Sequence, residues 1–235
     1  DLKNSIFYNT AWSGLSNLTN GDLNSQLKNV SISASAVELA SNLKMLRYVN
    51  TGSLQETFLE NFLNENDFLL KEKELSRFNY SLSKLASREY GKLISYLNKI
   101  EYIHVRFSAF ISRDLKGRGY INNTLYKIYK KLNYLPPTNQ EYFDLCLLDE
   151  AIVSLRDIAQ KGSPSFDYYI GSGQPSKLSD YFNIFSDYIN NGILNPIPKV
   201  SERVKKIFNP EAFLNDTKSK SLRSFSSFCK DLKAL

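Results

Sequence analysis

Histidine is nearly absent from the chain: His104 stands alone in 235 residues, beside two cysteines, one methionine and one tryptophan. A single imidazole cannot build a histidine-cluster metal site, and it leaves most histidine-based catalytic schemes short of a partner. Cys146 and Cys229 fit no Cys-x-x-Cys spacing and are too few for a disulfide framework, so both read as small buried hydrophobes in a reduced setting. There is no apolar run long enough to span a bilayer and no signal peptide at Asp1-Leu2-Lys3, which points to the cytoplasm.

Missing motifs narrow the chemistry further. HExxH, Walker A and GxSxG patterns do not occur. Gly117-Arg118-Gly119 and Gly171-Ser172-Gly173 lack the third glycine and the preceding strand of a dinucleotide fingerprint. Ser81-Leu82-Ser83-Lys84 has SxxK spacing without its companion elements. Asp149-Glu150 and the pair Glu72 and Glu74 could juxtapose carboxylates, yet adjacent acids ordinarily form a solvated face. His104 sits on an apolar stripe and reads as a structural histidine. The chain therefore reads as non-enzymatic, with no cofactor and no metal.

What is present is ordinary globular material, 42% hydrophobic and 23% charged, with a formal net charge of +6 that favours anionic partners. Ile6-Phe7-Tyr8 and Ala11-Trp12 are short apolar pieces. Val30, Ile32, Ala34 and Ala36 alternate with serine as a strand would, and helical spacing follows up to Gly52. Ser53-Leu54-Gln55-Glu56 is a capping box opening a helix. Leu82, Leu85, Leu93, Leu97, Ile100, His104, Phe107 and Ile111 form one long helical stripe. Ile103, Val105, Phe107, Ala109 and Ile111 also alternate strictly, the strand alternative, but the greater length of the stripe favours helix.

A short basic helix is expected over 120–132, and a second capping box, Thr138 to Glu141, opens a helix ending near Gly162. A loop over 162–175, a helix from Ser176 to Gly192, and a terminal helix over 222–232 complete the reading. The predicted fold is all-α, a multi-helix bundle with a four-helix core, an irregular N-terminal segment and a C-terminal helical arm. Its domains are 1–195, the bundle, and 196–235, a basic arm beyond the proline-containing linker.

The stretch from Arg113 to Tyr134 is the most suggestive chemically. Arg113, Lys116, Arg118, Lys127, Lys130 and Lys131 face one acid, Asp114, and are interleaved with Tyr120, Tyr126, Tyr129 and Tyr134. Cations neutralise phosphates and tyrosine rings stack on unpaired bases, so these six basic residues are candidate nucleic-acid contacts. The alternative is a solvated helix face with tyrosines lying over the core.

Two segments resemble the coat proteins of rod-shaped plant viruses of the tobamovirus type. Phe7-Tyr8-Asn9-Thr10-Ala11-Trp12, followed by Leu18 and Asn20, is similar to that family's N-terminal Phe-x-x-Ser-Ala-Trp segment. Pro137 and Thr138 through Glu141 and Asp144 to Asp149-Glu150-Ala151, Val153 and Arg156 resemble its late helix, and Val105-Arg106-Phe107 a mid-chain motif. Leu147 and Leu148 stand where that family keeps arginines. The resemblance implies a self-assembling coat or nucleocapsid-like protein, in a virion or the cytoplasm. Such a protein would stack as a helical or ring homo-oligomer around single-stranded RNA, with Asp149, Glu150 and Arg156 at the RNA groove or subunit contacts. From the residues alone, a helical scaffold or tether that binds another protein through its Tyr/Phe-rich surface is the alternative.

Overall fold

The structure, a computed structural model, describes residues 2–14, 22–64, 75–138 and 141–233. Leu18, Asn20, Glu72, Glu74 and the Asn139-Gln140 centre of the second capping box lie outside the described residues. The described elements are β1 (Ile6–Asn9), α1 (Leu23–Asn42), β2 (Arg47–Thr51), α2 (Leu54–Asn64), α3 (Leu75–Asn98), β3 (Glu101–Phe107) and β4 (Ala109–Ile111). They continue with α4 (Tyr120–Tyr129), β5 (Tyr142–Phe143), β6 (Leu145–Leu147), α5 (Leu148–Lys161), β7 (Asp167–Ile170), β8 (Ser176–Lys177) and α6 (Leu178–Asn191). Three short helices follow: α7 (Glu202–Ile207), α8 (Glu211–Thr217) and α9 (Phe225–Lys233). These elements fall into two compact units, Asp1–Phe107 with Ile158–Tyr168, and Ser108–Asp157 with Tyr169–Leu235.

The expectation of an all-α bundle is overturned. A four-stranded sheet runs in the order β1-β2-β3-β7, its first three strands parallel, with helices crossing between them. The stripe through 81–115 breaks because α3 ends at Asn98. There Lys99 takes a left-handed φ of 57°, and the Ile100 amide bonds back to the Ser95 carbonyl at 3.1 Å. Beyond that break the strict alternation of Ile103 to Ile111 belongs to β3 and β4. In the other direction, the alternating Val30–Ala36 segment is helical. Asp22 caps α1 by accepting the amides of Asn24 and Ser25, and Val30, Ser33, Val37 and Ala40 are buried at helical spacing.

The leucine stripe of α3 faces outward. Leu82, Leu93 and Leu97 are exposed, while Ser81, Ser83, Lys84, Ser87, Arg88 and Ser95 are buried. Close approach of the helix to the sheet explains the inversion: a Cβ on Gly91 would lie 2.6 Å from the Tyr102 ring. Small side chains let α3 lie close over the sheet, and the bulky apolar ones are left on the far side.

Register then organises one face of the sheet into two rows. Phe7, Tyr48 and Tyr102 are aligned on neighbouring strands, and their rings stack at 5.4 and 5.9 Å. Two residues further on, and so on the same face, Asn9, Asn50 and His104 form a polar row at the carboxyl ends of the strands.

In the second unit β4 pairs with β6 in parallel and β5 with β8 antiparallel. Leu125, Ile128, Tyr181, Phe182, Phe185, Phe225 and Phe228 are buried in one cluster, so the apolar face of α9 is core in this unit. Gly192 closes α6 in the left-handed conformation, φ 71°. The helix expected from Thr138 begins instead at Leu148, after β5 and β6, and the loop expected over 162–175 contains β7. Cys146 and Cys229 are buried free thiols, as their isolation in the sequence implies.

Candidate active site

In open α/β sheets ligands gather outside the carboxyl ends of the strands. In the first unit those ends hold the polar row and, after β2, the turn Thr51-Gly52-Ser53. The capping box expected there forms: the Glu56 carboxylate accepts the Ser53 amide at 2.7 Å, and Ser53 Oγ accepts the Gln55 amide at 3.3 Å. Tyr80 and Lys84 lie four residues apart on α3 and therefore share a face.

The Tyr80 hydroxyl lies beside the Ser53 side chain. Lys84 Nζ donates to the Thr51 carbonyl at 3.0 Å and stands 3.8 Å over the ring of Trp12, the sole tryptophan. The indole meets Tyr80 edge-on, with ring centroids 5.9 Å apart, and its Nε1 donates to Gln26 Oε1 at 3.0 Å. Four residues from three separate segments thus converge: Trp12 after β1, Ser53 after β2, and Tyr80 and Lys84 from α3.

Burial pushes the Tyr80 phenol up to about 12, with the Ser53 side chain opposing and the Glu56 charge adding. The phenol is therefore held neutral at pH 7 as a proton donor. Burial pulls the Lys84 ammonium down to about 8, with the Glu56 charge opposing. Beneath them lies a fully buried pair: His104 Nε2 is 2.8 Å from Glu56 Oε2, both side chains wholly enclosed. Chemically, a neutral phenol, a hydroxyl and an ammonium-bearing side chain in one half-buried corner suit proton exchange with a substrate oxygen.

No protein family matches the sequence, and no curated protein matches it either. Solved structures do. The Bordetella bronchiseptica enzyme WbmG, in complex with NAD and UDP, superposes with a TM-score of 0.66 at 12% identity, over 97% of this chain and 71% of that one. The UDP-N-acetylglucosamine 4-epimerase of Bacillus cereus gives 0.64 at 14% identity, over 97% and 76%. A UDP-glucuronic acid 4-epimerase from the same organism, in complex with NAD and UDP-4-deoxy-4-fluoro-glucuronic acid, gives 0.67 at 10%, over 98% and 77%. The fold is Rossmann-like, the one that these solved structures share.

This fold overturns the coat-protein resemblance, and with it virion assembly and single-stranded RNA as partner; the matching structures are enzymes, which also removes the ground for a non-enzymatic reading. Trp12, central to the resemblance, packs on Lys84 and Tyr80. Asp149 and Glu150 are the first acidic turn of α5. No described helix is long and apolar enough to cross a membrane.

The basic residues singled out around position 120 all lie in the second unit. Arg113 pairs with Asp149 at 2.6 Å and approaches Glu150 at 3.7 Å, and Glu150 is also bound by Arg223. Arg156 lies 3.3 Å from Asp157. Lys130 Nζ stands over the rings of Tyr126 and Tyr129 at 5.9 and 5.0 Å. Lys116, Arg118 and Lys131 are exposed and Lys127 is half-buried. Ser53, Tyr80 and Lys84 belong to the first unit. Sequence reasoning had Ser53 as a helix cap and Lys84 as a chance SxxK match, and it passed over Tyr80. The available signal was a Tyr four residues before a Lys, downstream of a Ser-capped turn.

Proposed function

We propose that the chain carries the acid–base site of an enzyme working with NAD on a sugar nucleotide, Tyr80 exchanging the proton of a sugar hydroxyl. The observation that carries this reading is the Ser53–Tyr80–Lys84 cluster at the carboxyl ends of parallel strands. The fold adds support, since its solved relatives were captured with NAD and with UDP or a UDP-sugar.

Interconverting a secondary alcohol and a ketone moves a hydride at carbon and a proton at oxygen, to different acceptors. Tyr80, neutral and buried, serves the oxygen: it gives its proton to a ketone and recovers one from the alcohol. Ser53 orients that oxygen with a second hydrogen bond. Lys84, as an ammonium, stabilises the negative charge left on Tyr80 after transfer, in a site where burial makes that charge costly.

The fit to NAD lies at its reacting end. One cation and two hydroxyls suit a hydroxyl-rich ribose beside the reacting carbon. The N-terminus of α1 is already capped by the Asp22 carboxylate, so it is closed to a pyrophosphate. When bound, NAD supplies the hydride acceptor; the residues named above handle the oxygen and its proton.

The test is incubation of the protein with NAD and UDP-glucose, UDP-N-acetylglucosamine or UDP-glucuronic acid, followed by proton NMR of the anomeric signals. Conversion of one of them, lost at least ~100-fold in Tyr80→Phe, is the expected result. Conversion that survives Tyr80→Phe undiminished overturns the proposal, as does the absence of both conversion and ligand-induced change in Trp12 emission.

A further inference from the structure

A chain of hydrogen bonds runs along the polar row with its direction fixed at both ends. At one end the Ala11 amide, which can only donate, gives to Asn9 Oδ1 at 3.3 Å. Asn9 Nδ2 therefore gives to Asn50 Oδ1 at 3.2 Å, and Asn50 Nδ2 gives to His104 Nδ1 at 3.3 Å. The Tyr102 hydroxyl also lies 3.4 Å from Nδ1, and on the opposite side of the ring the Nε2 proton gives to Glu56 Oε2 at 2.8 Å. At the other end the Ser53 amide gives to Glu56 Oε1 at 2.7 Å. One donor meets each carboxylate oxygen of Glu56; burial pushes its carboxyl up, but His104 and the Ser53 amide outweigh it and hold the group below its usual range, an anion enclosed in the protein. A buried charge of this kind is tolerated only when it is bonded and balanced; His104 and the Ser53 amide are its foremost partners, and the Lys84 ammonium adds to them.

We propose that Glu56 is a positioning residue for the Ser53–Tyr80–Lys84 site: a buried carboxylate that pins the turn on which Ser53 stands and to whose Thr51 carbonyl Lys84 is bound. The inference rests on the acid–base role proposed above for that cluster. His104 acts as the donor that orients Glu56, and Gly52 is required between them, because a Cβ there would overlap both the His104 ring and the Glu56 carboxylate. The ionisable groups facing this anion are Lys84 and Tyr80 from α3, His104 and Tyr102 from β3, and Tyr48 from β2 through the stacked row. Glu60, one turn further along α2, is occupied by Arg88.

The sole histidine and the sole tryptophan both lie in this cluster, so two spectroscopic probes read it without a substrate. In protein labelled with nitrogen-15 histidine, His104 is expected to carry a proton on Nε2, the nitrogen that faces Glu56. A wild-type His104 without a proton on Nε2 overturns the proposal even if every variant fails to fold. Glu56→Gln preserves size but removes the charge, and its amide faces the Nε2 proton. The pH midpoint of Lys84, read from Trp12 emission, should then fall by roughly one unit, and the His104 tautomer should reverse. A folded Glu56→Gln protein with both readouts unmoved overturns the inference. If both move as stated while Tyr80→Phe leaves sugar-nucleotide turnover untouched, the positioning of Lys84 stands and the proposed reaction falls.

Discussion

The Lys84 side chain should lose its proton near pH 8, and Trp12 should report the loss. An ordinary lysine titrates at 10.5; burial holds this one down to about 8 even though Glu56 opposes the change. At that midpoint about a tenth of the molecules carry neutral Lys84 at pH 7 and about nine tenths at pH 9. The ammonium stands 3.8 Å over the indole, so its neutralisation removes a cation–π contact and changes the indole's local field. Emission excited selectively from the single tryptophan should follow a one-proton curve centred near 8 that is missing in Lys84→Met. Stability is linked to the same proton. The unfolded chain keeps it up to 10.5 while the folded one releases it at about 8, so this group's contribution to stability rises with pH across that window. Below the window the buried charge costs about 3 kcal/mol, the equivalent of the gap between those two values. A transition centred at or above pH 10, or one that persists in Lys84→Met, refutes the reasoning.

Other consequences follow from separate parts of the structure. Gly52→Ala places a methyl group on His104 and Glu56 and should destabilise the fold by at least ~2 kcal/mol in urea titrations. Asp144 is wholly buried and accepts the Tyr169 hydroxyl and the Gly173 amide, each at 2.9 Å, as well as the Ser172 hydroxyl. Asp144→Ala strands these donors and should cost about 3 kcal/mol or more, measured as a lowered denaturation midpoint. Arg113→Ala removes an exposed ion pair with Asp149 and should cost less than ~1 kcal/mol, an effect that shrinks further with added salt.

Helices were legible in the sequence where their ends carried explicit chemistry. The Ser53–Glu56 box and the Gly192 stop are both present, because capping depends only on residues within a turn of one another. The sheet was hidden by its own polar content. Arg47 is buried within β2 because Glu101 Oε2 meets its Nε at 2.7 Å and the Ala159 carbonyl meets its Nη1 at 2.7 Å. Asn9, Asn50 and His104 are tolerated in strands because each bonds to the next. With such residues β1 and β2 show neither an apolar run nor clean alternation, while in β3 the alternation is present but is outweighed by the longer helical stripe that runs into it. On α3 the most hydrophobic positions face outward and serines face the sheet, reversing the usual inference from a leucine stripe. His104 reads correctly as a satisfied structural residue, but its partner Glu56 is separated from it by 48 positions. Tyr80 and Lys84 become recognisable only once parallel pairing brings Trp12 and Ser53 against them.

The most direct test of the account is a crystal structure of the protein with NAD and the UDP-sugar that it converts, or UDP-glucose if none is converted. A sugar hydroxyl within hydrogen-bonding distance of both the Tyr80 and Ser53 hydroxyls is the predicted result. A ligand bound elsewhere, with Trp12 still packed on Lys84 and Tyr80 out of reach of any substrate oxygen, contradicts it.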